Sequence, residues 1–351
     1  MRLPKAFLAL ALFTLAAPAH TQEVPKLNLR VEGEIVLPHT FAPMAIGEIL
    51  CDSRGNIYLQ PYQLLKPLSA PVLRLSPDGE RITPFALTSA PGFEESQVLD
   101  YKVGPRGEVY FLSMRLVDEI PEIDLVAFHD DGTFGTTTKL APEFIPSKFA
   151  LFTSGAIFVT GVKQTSKDQM VELAPYTAVL DPSGRLVKEL NLPGDIPPET
   201  RDYSKPLTDA EKRTAPLVVA AAGLSEAIAG EDGNVYLMRH TAKSRIFVIS
   251  GTGEIIHTFS ITPPREGATA EGLRNGTGGT LIVYFAVPTE KREQGGDMVF
   301  SVINAETGQR ELDYWASDAV RGWFACATPR GFTLLGQAKN SSLTIKQVTA
   351  H

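Results

Sequence analysis

Short apolar runs, alternating with polar positions and broken by Gly, Pro, Asp or Asn, recur along nearly all of this chain, and a 3.6-residue period is sustained almost nowhere. That pattern predicts strands joined by tight turns. The most complete unit runs from Ser225 to Ser260. In it Ala227-Ile228-Ala229 predicts a first strand, Glu231-Asp232-Gly233-Asn234 a turn, and Val235-Tyr236-Leu237 a second strand. Arg245 to Ser250 predicts a third strand, Gly251-Thr252-Gly253 a second turn, and Glu254 to Ser260 a fourth strand. Four antiparallel strands of this size make one sheet of the kind that forms a propeller blade.

The same order recurs elsewhere. Glu48 to Cys51, the turn at Gly55 and Asn56 to Leu59 open a first copy. Asp100 to Val103 with Gly107, and Phe149 to Phe152 with Gly155, open the second and third. Gly272 with Gly279, and Trp323 to Cys326 with Gly331, open the fifth and sixth. Glycine recurs because hairpin turns place a residue at positive φ, where the absence of a Cβ removes the steric cost. The sixth copy stops one strand short. Leu27 to Leu37 alternates with no partner nearby in sequence and can supply the missing outer strand. The expectation is an all-β chain, a six-bladed β-propeller of four-stranded antiparallel blades closed by an N-terminal strand.

Turn glycines lie 52 and 48 residues apart from Gly55 to Gly155, then 78 apart to Gly233. An insertion is therefore expected at about 193–217, rich in Pro and charge, with Thr208-Asp209-Ala210-Glu211 reading as the start of a short helix. Insertions in repeat proteins emerge on one face, either as solvated loops or as covers over a binding site.

Composition adds the compartment. Arg2 and Lys5, an apolar run from Ala6 to Ala17 and the small residues Ala17-Pro18-Ala19 read as a signal peptide, residues 1–19, cleaved to leave 20–351 as a single propeller domain. The run is shorter than the roughly twenty residues an anchor needs, and no later segment reaches that length, so no membrane span is expected. The protein is expected to be exported, periplasmic or secreted. Without Arg2 and Lys5 the chain carries 31 basic and 40 acidic residues, a formal net of −9. That balance argues against a nucleic-acid partner, whose phosphates require a basic face.

Asp52-Ser53-Arg54-Gly55-Asn56-Ile57-Tyr58, and less completely Glu231 to Tyr236, resemble the repeat of NHL-type and TolB-like six-bladed propellers, over essentially the whole mature chain. The motif specifies a blade turn and no chemistry. Relatives of this type include metal-dependent lactonases and a lyase. The resemblance therefore implies one alternative, a divalent-metal-dependent, lactonase-like hydrolase or lyase with its site at the central channel mouth. The other reading is a non-enzymatic propeller that binds a small-molecule ligand or a protein partner.

Candidate chemistry follows from alignment on the turn glycines. The position seven residues earlier holds Glu48, Asp100, Lys148, Glu226, Gly272 and Phe324, so three carboxylates and one ammonium should converge at the channel mouth, with Glu271, Arg274 and Arg321 near them. Glu48, Asp100 and Glu226 could hold Ca²⁺ or Mg²⁺, which prefer oxygen ligands, or could form a polar rim neutralised by Lys148. The lactonases it resembles use Glu, Asn and Asp at a central metal, and the lyase uses His near one. Here His39, His129, His240 and His257 all fall outside the ring, which weighs toward the binding reading. No nucleophile elbow, phosphate loop or zinc-spaced cluster is present. Cys51 and Cys326 fall on first strands that become neighbours when the ring closes, either as a disulfide or as two buried thiols.

Overall fold

The computed structural model describes residues 24–37, 45–62, 70–140, 144–167, 170–202, 216–240, 243–287, 298–317, 320, 322–338 and 342–351. The expected leader, the expected helix start at 208–211, His39 and Arg321 lie outside them.

Strand β1 spans Lys26–Val36. The first repeat holds β2 (Ala45–Cys51), β3 (Ile57–Tyr62), β4 (Val72–Leu75) and β5 (Ile82–Phe85), and the second holds β6 (Gln97–Val103), β7 (Val109–Val117), β8 (Ile120–Phe128) and β9 (Phe134–Lys139). The third holds β10 (Ile145–Leu151), β11 (Ile157–Lys167), β12 (Met170–Leu180) and β13 (Leu186–Glu189). The inserted β14 (Glu199–Asp202) and helix α1 (Leu217–Leu224) come next, then β15 (Glu226–Ala229), β16 (Val235–Arg239), β17 (Arg245–Ile249) and β18 (Ile255–Ser260). The last two repeats hold β19 (Thr269–Asn275), β20 (Thr280–Ala286), β21 (Met298–Asn304) and β22 (Arg310–Ala316), then β23 (Trp323–Thr328), β24 (Gly331–Gln337) and β25 (Leu343–Ala350).

These strands make an all-β, propeller-like arrangement of four-stranded antiparallel sheets. Four such sheets stand alone, not the six expected: β2–β5, β6–β9, β15–β18, and β10–β13 with β14 added beside β12. The other strands form one eight-stranded sheet in the order β19-β20-β21-β22-β1-β25-β24-β23. The difference has a physical cause in β1, which pairs with β22 over its first residues and with β25, on its other side, over the rest. It lies antiparallel to β25 from Leu29↔Ala350 to Val36↔Thr344 and parallel to β22 from Lys26↔Asp313 to Asn28↔Trp315. Two four-stranded arrays are thereby fused, and both outer edges are hydrogen-bonded.

The core lies between successive arrays. One cluster joins Tyr58 and Phe85 to Tyr101 and Phe111, the next joins Leu112 and Leu125 to Phe149 and Val159, and a third joins Phe152 and Phe158 to Leu237 and Phe247. Met238 and Ile246 pack with Leu273 and Phe285, and Phe300 packs with Phe324 and Phe332. Ile49 and Leu59 meet Leu335 and Ile345, so the last array packs on the first. At that junction Cys51 and Cys326 form a disulfide, with Cα atoms 5.7 Å apart.

The repeated turn is held by its own side chains. The carboxylate of Asp52 accepts from the backbone N–H of Arg54 (2.9 Å) and Asn56 (3.0 Å), from the Asn56 amide (2.8 Å) and from the Tyr58 hydroxyl (3.1 Å), while Gly55 takes φ +78°. The fourth repeat reaches the same end from another position. Asp232, which aligns with Arg54, accepts from the Asn234 amide and the Tyr236 hydroxyl.

The described part of the insertion is tied to the third and fourth arrays. β14 pairs with β12 from Met170↔Asp202 to Leu173↔Glu199. Val218 and Ala222 of α1 pack on Val162 and Leu173. Arg239 is only 1% exposed, a burial that demands partners. It donates to both oxygens of Asp195 (2.9 and 3.0 Å) and to the hydroxyls of Thr160 (2.9 Å) and Thr177 (3.0 Å).

Candidate functional site

Five of the six first strands slip by one residue at the same level. The register shifts fall between Ile46 and Ile49, Val98 and Asp100, Pro146 and Lys148, Ala270 and Gly272, and Phe324 and Cys326. A bulge re-aims side chains locally, and these lie beside the predicted ring. Three residues before each hairpin-closing pair stand Glu48, Asp100, Lys148, Glu226, Gly272 and Ala325. The first five are the residues expected from the sequence. Phe324 is corrected to Ala325, because the sixth hairpin closes at Thr328↔Gly331 and its glycine stands in the ladder rather than in the turn. Phe324 packs instead against Phe300 and Phe332.

Glu48, Asp100, Lys148, Glu226 and Arg274 come together in one buried cluster, joined by Lys102. The Lys102 ammonium donates to Glu48 at 2.8 Å and lies 3.2 Å from Asp100. Lys148 lies 3.4 Å from Asp100 and 4.0 Å from Glu48. Arg274 donates to Glu226 at 2.9 Å and reaches Glu48 at 3.9 Å. Glu48 thus faces a cation from the second, third and fifth repeats. Asp100 also accepts the Phe149 backbone N–H at 3.2 Å, and Tyr101 donates to the Glu48 carbonyl and to that of Tyr58 (3.1 Å). Glu271 stands apart, exposed and bonded to Thr269 at 2.8 Å.

Two members were not apparent from the sequence alignment. Lys102 follows Asp100 by two residues and so shares its strand face, as Arg274 does with Gly272. Tyr284 enters through an absence. A Cβ at Gly272 would stand 2.2 Å from the Tyr284 ring, so the phenol fills the fifth ring position from the neighbouring strand. Its ring lies 5.9 Å from the Arg274 guanidinium. A glycine at a ring position, opposite a large aromatic on the next strand, was the legible signal.

Electrostatics set the protonation pattern. Burial alone would raise the Glu48 carboxyl, but Lys102, Lys148 and Arg274 together outweigh it and hold Glu48 well below the usual carboxylate range. Burial pushes Asp100 up to about 6, against the pull of Lys102 and Lys148 and helped by the Glu48 charge. Lys148 and Arg274 are raised, since their carboxylate neighbours overcome the desolvation that would lower them. Burial lifts the Tyr284 phenol to about 12.

Formally, three carboxylates meet three cations, and the cluster is neutral when all are ionised. Among the described residues no group of three or more His, Cys, Asp or Glu side chains is arranged to hold a metal ion. The oxygens of Glu48, Asp100 and Glu226 that Ca²⁺ or Mg²⁺ would require face Lys102, Lys148 and Arg274 instead. Asp100 has a proton affinity suited to general acid or base work, yet its side chain is 2% exposed and both oxygens are engaged. The arrangement can tie the first, second, third, fourth and fifth repeats together around the axis.

Comparison with known proteins yields no matching family model and no matching curated protein. Solved structures similar to this chain include a protein of unknown function from Dyadobacter fermentans, at 12% identity and TM-score 0.49 over 92% of this chain and 99% of that one. The Neurospora crassa Pan2 WD40 domain is similar at 12% identity and TM-score 0.45, over 92% and 95%. YCF48 bound to D1 peptide is similar at 14% identity and TM-score 0.39, over 95% and 100%.

Proposed function

We propose that this protein is a non-enzymatic binding propeller that docks a protein partner on the face where the first strands begin. In this reading the eight-stranded sheet counts as two blades, β19–β22 and β23–β25 with β1, so that six blades close on the NHL-type or TolB-like plan. Residues 1–19 serve as a cleaved leader and the mature protein works in the periplasm or outside the cell. The buried charge cluster is a neutral strut that fixes the blades beneath the face, with no role for Ca²⁺ or Mg²⁺.

One observation carries the reading, the apolar side chains left in water on that face. Helix α1 is apolar on every side, a pattern normally reserved for buried helices, yet Leu217 is 77% and Leu224 56% exposed. On the same end Ile145 and Met170 of the third array are exposed, as are Leu116 and Ile120 at the β7–β8 hairpin. Exposed apolar surface of this kind marks interaction sites.

Site-specific photo-cross-linking in the producing cell tests it. A photoreactive residue at position 217 or 224 should give one adduct of defined mass, lost on Ile145→Asp, whereas position 187 on outer strand β13 should give none. Equal adducts at all three positions, or none at 217 and 224, would overturn the proposal.

A further inference from the structure

A second feature lies at the opposite end of the propeller, where the fourth and fifth arrays meet. A cavity of about 340 Å³ opens between the turn at Gly230–Asn234 and the turn at Asn275–Thr280. Its origin is visible by comparison with the first and second arrays. There Arg54, immediately before its turn glycine, crosses the seam, donates to the Arg106 carbonyl at 2.9 Å and lies against Gly107. In the fourth array the residue before the turn glycine is Asp232, which is too short to cross and turns back onto Asn234 and Tyr236. On the far wall Gly278 and Gly279 both take positive φ and have open space where a side chain would stand. The seam is left unfilled from both sides.

The lining chemistry selects a class of occupant. Glu231 and Glu306 show no side-chain hydrogen bond among the described residues, and Asn275 spends its amide N–H on the Ala229 carbonyl (2.8 Å), leaving its own carbonyl oxygen to accept. Val248, Ile256 and Leu281 supply an apolar wall, and the lining holds no lysine or arginine. A ligand that fits must bring hydrogen-bond donors and an apolar side, and it must not be anionic. Its volume is at the lower end of the range for small-molecule sites. We infer that this inter-blade cavity is a binding site for a neutral, polyhydroxylated ligand of one or two sugar rings, whose hydroxyls donate to Glu231, Glu306 and Asn275 and whose C–H face lies on Ile256 and Leu281.

The test is isothermal titration calorimetry of the full chain with glucose, galactose, mannose and disaccharides of each, and with ethylammonium as a cationic comparison. Saturable binding of at least one sugar is expected in the millimolar range or tighter. Glu306→Ala should weaken it by about tenfold through loss of an acceptor. Ala305→Trp should abolish it by filling the cavity. Both positions lie on a surface turn, and an unchanged circular dichroism spectrum verifies folding. No heat with any sugar, binding of ethylammonium alone, or sugar binding that survives Ala305→Trp would each overturn the assignment.

Discussion

Replacing Glu48 by Gln keeps the shape of the side chain and removes one charge from the centre of the cluster. Glu48 lies 2.8 Å from Lys102, 3.9 Å from Arg274 and 4.0 Å from Lys148, so the variant leaves three buried cations against two carboxylates. Removing one partner of a buried ion pair costs about 3–5 kcal/mol. The amide oxygen of Gln can still accept from Lys102, which places the expected loss near the lower end, about 3 kcal/mol. Urea unfolding at pH 7, followed by the fluorescence of Trp315 and Trp323, reads it directly. With a slope of about 3 kcal/mol per M, the midpoint should fall by about 1 M. Lys102→Met in the same chain restores neutrality, with two cations against two carboxylates. The double variant should therefore be more stable than the sum of the single losses by about 1.5 kcal/mol or more. A loss below about 1 kcal/mol, or strict additivity, would refute the reasoning that the cluster is a charge-balanced strut.

Other expectations follow from the same structure. Asp100 is held at about 6 against 3.8 when unfolded, so the native state takes up its proton first; that contribution is full below about 4 and lost as pH rises through about 6. Glu48, held low, contributes in the opposite sense, present above about 4.5 and lost on acidification below it. Unfolding free energy should therefore increase from pH 7 toward pH 5 and then fall, and Asp100→Asn should remove the increase; a flat wild-type profile between pH 5 and 7 refutes this. Gly272→Ala should cost about 1–3 kcal/mol by driving a methyl into the Tyr284 ring, and Tyr284→Leu should suppress most of that loss in thermal denaturation. Arg239→Met should cost about 3–5 kcal/mol by stranding Asp195, and hydrogen exchange should rise first around 190–202 and β14. Cys51→Ala with Cys326→Ala should lower stability by about 2–5 kcal/mol, read as a fall in melting temperature that reductant reproduces in the wild-type chain.

The sequence made the ring legible because each repeat announces its own turn. Asp52 and Gly55, or Asp232 and Gly233, fix where a first strand ends, and counting back from them lands on Glu48, Asp100, Lys148 and Glu226. The method failed where the local count changed: at Gly331 the hairpin is shorter, and one residue moves Phe324 to the apolar side of its strand. Counting back from the turns missed Lys102 and Tyr284 for a different reason. Their partners belong to other repeats or to the next strand, and only the packed arrangement brings Glu48 within 2.8 Å of Lys102 or clears Gly272 for a phenol. The two-sided pairing of β1 was hidden likewise, since alternation shows that Leu27 to Leu37 is a strand and cannot show how many neighbours it has. Leu217 and Leu224, in a short apolar run after a charged insertion, read equally well as core.

That two-sided pairing also governs how the molecule can form. Leu29 bonds opposite Ala350, so the first strand must wait for the last before the circle exists. Contacts of such separation in sequence are the slowest to make, and closure is expected to be a late event in folding. Until then the strand from Lys26 to Val36 and the free edge of β22 are both sticky to other chains. The final residues, 343–351, are thus the timing element of assembly: a chain truncated before them would hold the first five repeats and an incomplete sixth, and would present an open seam on which copies of itself could aggregate.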